Sequence, residues 1–169
     1  MFSWLARLLG WPAKEELNGA SLSLDTYWEL SAPADAAAFV RRLPELLPEG
    51  TVLYLEGVII ASEVSDFLDA RRSPTGLKIA RGTILPRPQV YHLPMTDSNV
   101  AGLAELFERH ASPEVCDHFH AYAGDTVFLQ WHDAFFDDPL LLSSLIPEEK
   151  AKRFCDTLGC TYKWSTAPG

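Results

Sequence analysis

Residues 115–132 read VCDHFHAYAGDTVFLQWH, and this stretch decides the fold because it predicts a β-hairpin. Polar and apolar residues alternate on both sides of a turn, a period typical of strands with one buried face. We expect a three-residue turn at 123–125, where Gly124 can take a positive φ, because an odd-length loop sets the two apolar rows side by side. The predicted buried row is Phe119, Ala121, Val127, Leu129 and Trp131.

The opposite face of the predicted hairpin gathers potential metal ligands. Imidazole and thiolate groups bind zinc and other transition metals well, and residues i and i+2 of one strand can reach the same ion. Three alternatives are open: a site for zinc or another transition metal, a small-molecule pocket, or partly covered histidines of a sheet face with no ligand. The residues predicted to share this face are Cys116, His118, His120, Gln130 and His132.

Cys116 is a candidate fourth metal ligand or nucleophile. A nucleophilic cysteine needs a base beside it to form the thiolate. His118 is two residues along the same strand, about 7 Å away by strand rise, and His132 comes near only in a favourable register. A structural cysteine is therefore the better expectation at this position.

Residues 131–138 read WHDAFFDD and set aromatic side chains beside acids. Aromatic residues often anchor protein interfaces, whereas the carboxylates could simply cap a turn. We predict that Trp131, Phe135 and Asp137 bind a partner, and that substituting them weakens partner capture while the fold stays intact.

Residues 71–87 contain five basic residues and no acid, in a chain whose net charge is −9. Gly76 and Gly82 could let backbone N–H groups approach an anion, although the segment has no phosphate-loop motif. The alternatives are a docking site for an acidic peptide or a nucleotide, and simple pairing with the acidic flanks. The candidate anion-binding residues are Arg71, Arg72, Lys78 and Arg81.

The composition bounds the class of protein. A length of 169 residues with 47% apolar residues fits one globular domain over 1–169. The net charge of −9 disfavours nucleic-acid binding, which needs cations against phosphate, and suits a protein that meets a basic partner. Three cysteines without a CxxC spacing favour a reducing, cytoplasmic compartment.

The first residues, 1–11, predict a short amphipathic helix, because Phe2, Leu5 and Leu8 recur at helical spacing. We expect this helix to dock on the protein's own core or on a partner, with a position on a membrane surface as the alternative. No apolar run approaches the roughly 20 residues that a transmembrane span needs.

The predicted architecture is a single α+β domain, with a mainly antiparallel or mixed sheet of five to seven strands and helices on one face. The hairpin is expected near the centre of that sheet, and residues 137–146 predict a short helix. Recognised catalytic motifs are absent from the sequence. We therefore expect a non-catalytic binding or interaction protein of small acidic type, with an inhibitor- or immunity-type protein as one case. The alternative is a metal-dependent or small-molecule enzyme that uses the histidine and cysteine face.

Overall fold

Seven strands form one sheet in the computed structural model of the chain, which describes residues 19–83, 85–136 and 138–166. They are β1 (Thr26–Leu30), β2 (Val52–Gly57), β3 (Gln89–Pro94), β4 (His118–Ala123), β5 (Thr126–Trp131), β6 (Leu140–Ser143) and β7 (Tyr162–Thr166). Their order across the sheet is β3-β2-β4-β5-β6-β1-β7, and all neighbours are antiparallel. The predicted α+β class, strand number and near-central hairpin are confirmed.

Helices pack against one face of this sheet. They are α1 (Ala36–Leu46), α2 (Ser62–Arg71), α3 (Asp97–Arg109), the single turn α4 (Ser112–Val115) and α5 (Glu148–Leu158). The sequence sets several of their ends locally: the Asp35 side chain accepts a hydrogen bond from the Ala38 N–H at 2.8 Å, and Gly159 ends α5 with a φ of 67°. None of the helices in the described ranges is long and apolar enough to cross a membrane.

The main core lies between the helices and the sheet. Phe39 of α1 stands at its centre, with edge-on ring contacts to Phe119 at 5.4 Å and Trp131 at 5.3 Å between centroids. Such aromatic pairs stabilise by roughly 0.5–1.5 kcal/mol beyond the burial of their surface. The apolar row predicted for the hairpin faces this core at residues 119, 121, 129 and 131.

The other face of the sheet, here the outer face, carries Tyr54, His120 and Tyr122. Residues 19–22 and 73–83 cover it: the Ala20 N–H donates to the Lys78 carbonyl at 2.8 Å, and the Leu77 N–H donates to the Tyr122 hydroxyl at 3.1 Å. A small apolar cluster fills the space beneath this cover. Its buried members are Leu22, Tyr54, Ile79, Tyr122 and Val127.

The predicted three-residue turn is wrong, although the face that it assigned to residues 119, 121, 129 and 131 is correct. The turn has two residues, because Ala123 pairs with Thr126, and a β-bulge in β5 supplies the extra residue. Between the bulge and the turn, side chains of β5 point to the face opposite to the one predicted. Val127 therefore lies in the cluster on the outer face, and Phe128 packs against the main core. His120 still pairs directly with Gln130.

The predicted helix over 137–146 is also wrong. Residues Leu140–Ser143 form β6, which pairs with β1 on one side and β5 on the other. A short apolar run has no periodicity that separates a buried strand from a helix, so pairing with the two neighbouring strands decides its structure. The helix predicted for residues 1–11 lies outside the described residues.

Candidate functional site

A cleft of about 730 Å³ opens on the outer face, where residues 81–83 and 85 lie against the histidines of the hairpin. It joins two features that the sequence suggested separately, the histidine face and the basic segment. The side chains and backbone that line it belong to Arg81, Gly82, Thr83, Leu85, His118, His132 and Asp133.

His118 has a hydrogen bond at each ring nitrogen. The backbone N–H of Asp133 donates to Nδ1 at 3.0 Å, and Nε2 lies 2.8 Å from the Thr83 hydroxyl oxygen. Because a backbone N–H can only donate, Nδ1 must accept, and the ring proton resides on Nε2. His118 is therefore a neutral imidazole that donates to Thr83 and cannot take the proton of that hydroxyl.

His120 is fixed in the same tautomer and is almost fully buried. The backbone N–H of Trp131 donates to its Nδ1 at 3.2 Å, which leaves the ring proton on Nε2. The ring lies against Tyr54 at 5.4 Å and His132 at 4.9 Å between centroids. Within the described ranges, Nε2 of His120 has no hydrogen-bond partner, an unusual state for a buried donor.

His132 is the half-buried imidazole that faces the cleft. Its ring makes edge-on contacts with His118 at 5.4 Å and His120 at 4.9 Å, and it has no ring hydrogen bond to another described residue. Burial, followed by the neighbouring His118, lowers the pKa of His132. Among the three neighbouring imidazoles, this ring is the one able to exchange a hydrogen bond or a proton with a ligand.

Glu56 is a residue of this site that the sequence analysis missed. It is fully buried on β2, opposite His118 in the strand register. Its carboxylate accepts hydrogen bonds from the Thr83 N–H at 2.7 Å, the Gly82 N–H at 3.3 Å and the Tyr54 hydroxyl at 2.6 Å. Glu56 thus ties the covering segment to the sheet. A single acid inside an otherwise apolar buried strand was the available signal.

Tyr54 supports this arrangement as a hydrogen-bond donor. Burial, together with the hydrogen bond to Glu56, raises its pKa, so the phenol keeps its proton. Tyr54 and Glu56 are two residues apart on β2 and therefore point to the same outer face.

Gly82 and Gly76 allow the covering backbone to lie directly on imidazole rings. A Cβ atom at Gly82 would overlap the His118 ring, and one at Gly76 would overlap His92 and the Tyr122 hydroxyl. The glycines were predicted to let backbone N–H groups approach an anion. Instead, the Gly82 N–H is hydrogen-bonded to Glu56, and the missing side chain makes room for His118.

The prediction that Cys116 shares the histidine face is wrong. Cys116 precedes β4, is fully buried and belongs to the main core, where burial raises the pKa of its thiol. It therefore contacts neither the cleft nor the imidazoles as a nucleophile or ligand would. Across the described parts of the chain, no group of three His, Cys, Asp or Glu side chains could hold a metal ion. The arrangement thus gives no support to the predicted zinc site at His118, His120 and His132.

The four candidate anion-binding residues do not converge. Arg71 stacks on the Phe67 ring at 4.2 Å, and Arg72 pairs with Asp69 at 3.2 Å, both at the end of α2. Lys78 lines a separate hollow beside Tyr54 and His92, and Arg81 borders both that hollow and the cleft. Arg81 is therefore the member of the set that belongs to the cleft.

Of the predicted partner anchors, Trp131 is a core residue and Phe135 packs against the edge of the core. Trp131 is fully buried, and its indole N–H donates to the Asp138 carbonyl at 2.9 Å. Phe135 packs on Trp131 with 4.5 Å between ring centroids, and its φ of 69° is strained for an aromatic residue. The prediction that Trp131 binds a partner is wrong, because its side chain is fully buried, whereas the binding role of the partly buried Phe135 stays a prediction. Phe136 is the exposed aromatic residue of this segment. Asp137 lies outside the described residues.

The chain matches no protein-family model, no curated protein and no solved structure. The functional argument therefore depends on the geometry of the cleft and of the imidazoles beside it.

The buried imidazoles predict a loss of stability in mild acid. Burial is the main cause that lowers the pKa of His92, His120 and His132, and the pKa of His120 lies well below its usual 6.5. As the pH falls below about 6.5, these histidines bind protons in the unfolded chain but not in the folded chain. The free energy of unfolding therefore decreases. We expect His120 alone to account for about 1 kcal/mol between pH 6.5 and 5.5.

Urea denaturation at a series of pH values measures this dependence. The control is Thr126→Val, which removes a hydroxyl near the hairpin turn and no titratable group, and it should keep the slope. His120→Gln should reduce the slope. A stability that is constant between pH 6.5 and 5.5 would show that the imidazoles are not held neutral.

Proposed function

We propose that this protein is a non-catalytic binding protein whose cleft takes a small polar molecule with a carboxylate or phosphate group. The observation that carries the proposal is the tautomer of His118. Its Nε2–H donates to the Thr83 oxygen, so the hydroxyl proton of Thr83 remains available to a ligand in the cleft.

The lining of the cleft is rich in donors. Thr83, His132 and Arg81, whose side chains carry donors, border it beside the acidic Asp133, and Leu85 supplies an apolar wall. A ligand with acceptor oxygens matches such a wall, and a guanidinium suits carboxylate and phosphate groups in particular. The backbone N–H groups of residues 82 and 83 already donate to Glu56, so side chains would make these contacts.

The same tautomers favour binding over catalysis. Activation of a threonine nucleophile needs an imidazole nitrogen that accepts the hydroxyl proton. In His118 that nitrogen carries the proton, since the Asp133 N–H occupies the other one. His120 is held in the same way by the Trp131 N–H. The His118 and His120 rings are therefore suited to position the groups that would surround a ligand.

A thermal-shift screen with inorganic phosphate, simple carboxylates and nucleoside monophosphates tests the proposal. A compound that binds should raise the melting temperature by about 3–5 °C at ten times its Kd. Thr83→Val removes the hydroxyl at nearly constant volume and should weaken binding about tenfold, the effect of losing one hydrogen bond to a charged group. Thr126→Val, the same change at the far end of the hairpin, should leave the affinity unchanged.

Four outcomes would contradict the proposal. One is that no oxyanion compound stabilises the chain, and another is that Thr83→Val binds as tightly as the unaltered protein. Chemical conversion of a bound compound, followed by mass spectrometry, would indicate an enzyme instead. Stoichiometric zinc retained after incubation and gel filtration would indicate the metal-dependent alternative.

A further inference from the structure

The end of α5 brings two cysteines together. Gly159 adopts the left-handed conformation with a φ of 67°, and the Cys160 N–H donates to the Cys155 carbonyl at 3.1 Å. This six-to-one hydrogen bond defines the Schellman motif, in which the side chains of those two positions commonly contact each other. In this chain both positions are cysteine.

The burial of the two thiols differs. Cys155 is buried in the main core, whereas Cys160 is half-buried and packs against the edge of that core. The proximity of the two thiols lowers the pKa of Cys160 and raises that of Cys155. Cys160 is therefore the thiol that reagents reach and the one that more readily forms a thiolate.

The backbone geometry also suits a disulfide. Such a bond requires two cysteine backbones a few ångströms apart with side chains that face each other. The hydrogen bond from the Cys160 N–H to the Cys155 carbonyl holds the two backbones together, and the Schellman motif places the two side chains on the same side of the helix end. Cys116 lies in the core at the start of the hairpin, so it serves as an internal control.

We propose that Cys155 and Cys160 are a redox-active dithiol, a modification site that closes into an intramolecular disulfide in the presence of a low-molecular-weight disulfide. The Cys160 thiolate attacks one sulfur of the oxidant, forms a mixed disulfide and releases one thiolate. Cys155 then loses its proton to solvent and attacks the Cys160 sulfur, which releases the second thiol. Two protein thiols are oxidised to one disulfide, and the oxidant disulfide is reduced to two thiols.

Closure would fasten the end of α5 to the start of β7. Thr161 follows Cys160 directly. Its carbonyl accepts a hydrogen bond from the Ser31 N–H at 3.0 Å, and its own N–H donates to the Ser31 hydroxyl at 3.0 Å. The disulfide therefore links the helix to the edge strand beside β1. This site is separate from the cleft, and the inference does not depend on the proposed function.

Treatment of the full native chain with oxidised glutathione tests the inference. After the reaction the protein is denatured, its remaining thiols are alkylated, and the intact mass is measured. We expect the number of alkylated thiols to fall from three to one, with Cys116 as the remaining thiol, and the unalkylated mass to fall by about 2 Da. Dithiothreitol should restore all three thiols, and the product should stay monomeric on a non-reducing gel.

Single substitutions separate the two steps. Cys155→Ser should stop at a stable glutathione adduct on Cys160, because the resolving thiol is missing. Cys160→Ser should react much more slowly, since the accessible thiol is removed. The inference would be overturned by a native chain that keeps three thiols, by an adduct that never resolves, or by a disulfide between two chains.

Discussion

Trp131→Ala is expected to lower the free energy of unfolding by about 3–5 kcal/mol, the range for removing a large aromatic side chain from a core. Trp131 is fully buried, packs against Phe39 and Phe135, and donates its indole N–H to the Asp138 carbonyl. Alanine would leave a cavity that these rigid neighbours cannot fill. Because domains are stable by only about 5–15 kcal/mol, this single change removes a large part of the margin.

Urea denaturation followed by circular dichroism measures this effect, with Phe136→Ala as the matched control. Phe136 lies five residues further along and is 55% exposed, so its truncation should change stability by less than about 0.5 kcal/mol. If Trp131→Ala were as stable as the unaltered chain, the side chain would be on the surface, as a partner anchor must be. The two variants therefore separate a core residue from an interface residue.

Glu56→Gln is expected to lower the free energy of unfolding by about 1–3 kcal/mol and to loosen residues 81–83. The Glu56 carboxylate accepts three hydrogen bonds, two of them from backbone N–H groups. An amide of the same shape has one accepting oxygen, so its NH₂ group would face a donor. The Gly82 or Thr83 N–H then loses its partner, and the wall of the cleft moves.

Hydrogen exchange of the residue 82 and 83 amides measures the loosening, and urea denaturation measures the stability. Glu29→Gln is the control, because the Glu29 side chain is 27% exposed and pairs at 2.9 Å with Lys163 of the edge strand β7. Its loss should change stability by less than about 1 kcal/mol. Unchanged exchange at residues 82 and 83 in Glu56→Gln would contradict the role of Glu56 as the tie between cover and sheet.

Core and cleft share the same backbone. The side chain of Trp131 fills the main core, while its N–H fixes the tautomer of His120 on the outer face. Asp133, whose φ of 42° is unusual for a residue other than glycine, holds His118 in the same way. Strain in the segment after β5 is thus coupled to the orientation of the imidazoles.

The sequence by itself determined the features that depend on neighbours along the chain. The alternation of residues 115–132 was sufficient for the hairpin and for placing His120 and Gln130 on the same face of it. Asp35 and Gly159 marked helix ends, because capping is a matter of a few adjacent residues.

Only the tertiary structure decided which surfaces are covered and which residues meet. The Glu56 carboxylate pairs with residues 82 and 83 across a long stretch of chain, and no local period indicates such a contact. The bulge at Phe128 and the burial of Trp131 likewise depend on the strands and helices packed against them. On folding, long-range contacts replace water around both polar and apolar groups. The periodicity of the sequence shows only which side of a single helix or strand is apolar, so it does not show which distant residues make those contacts.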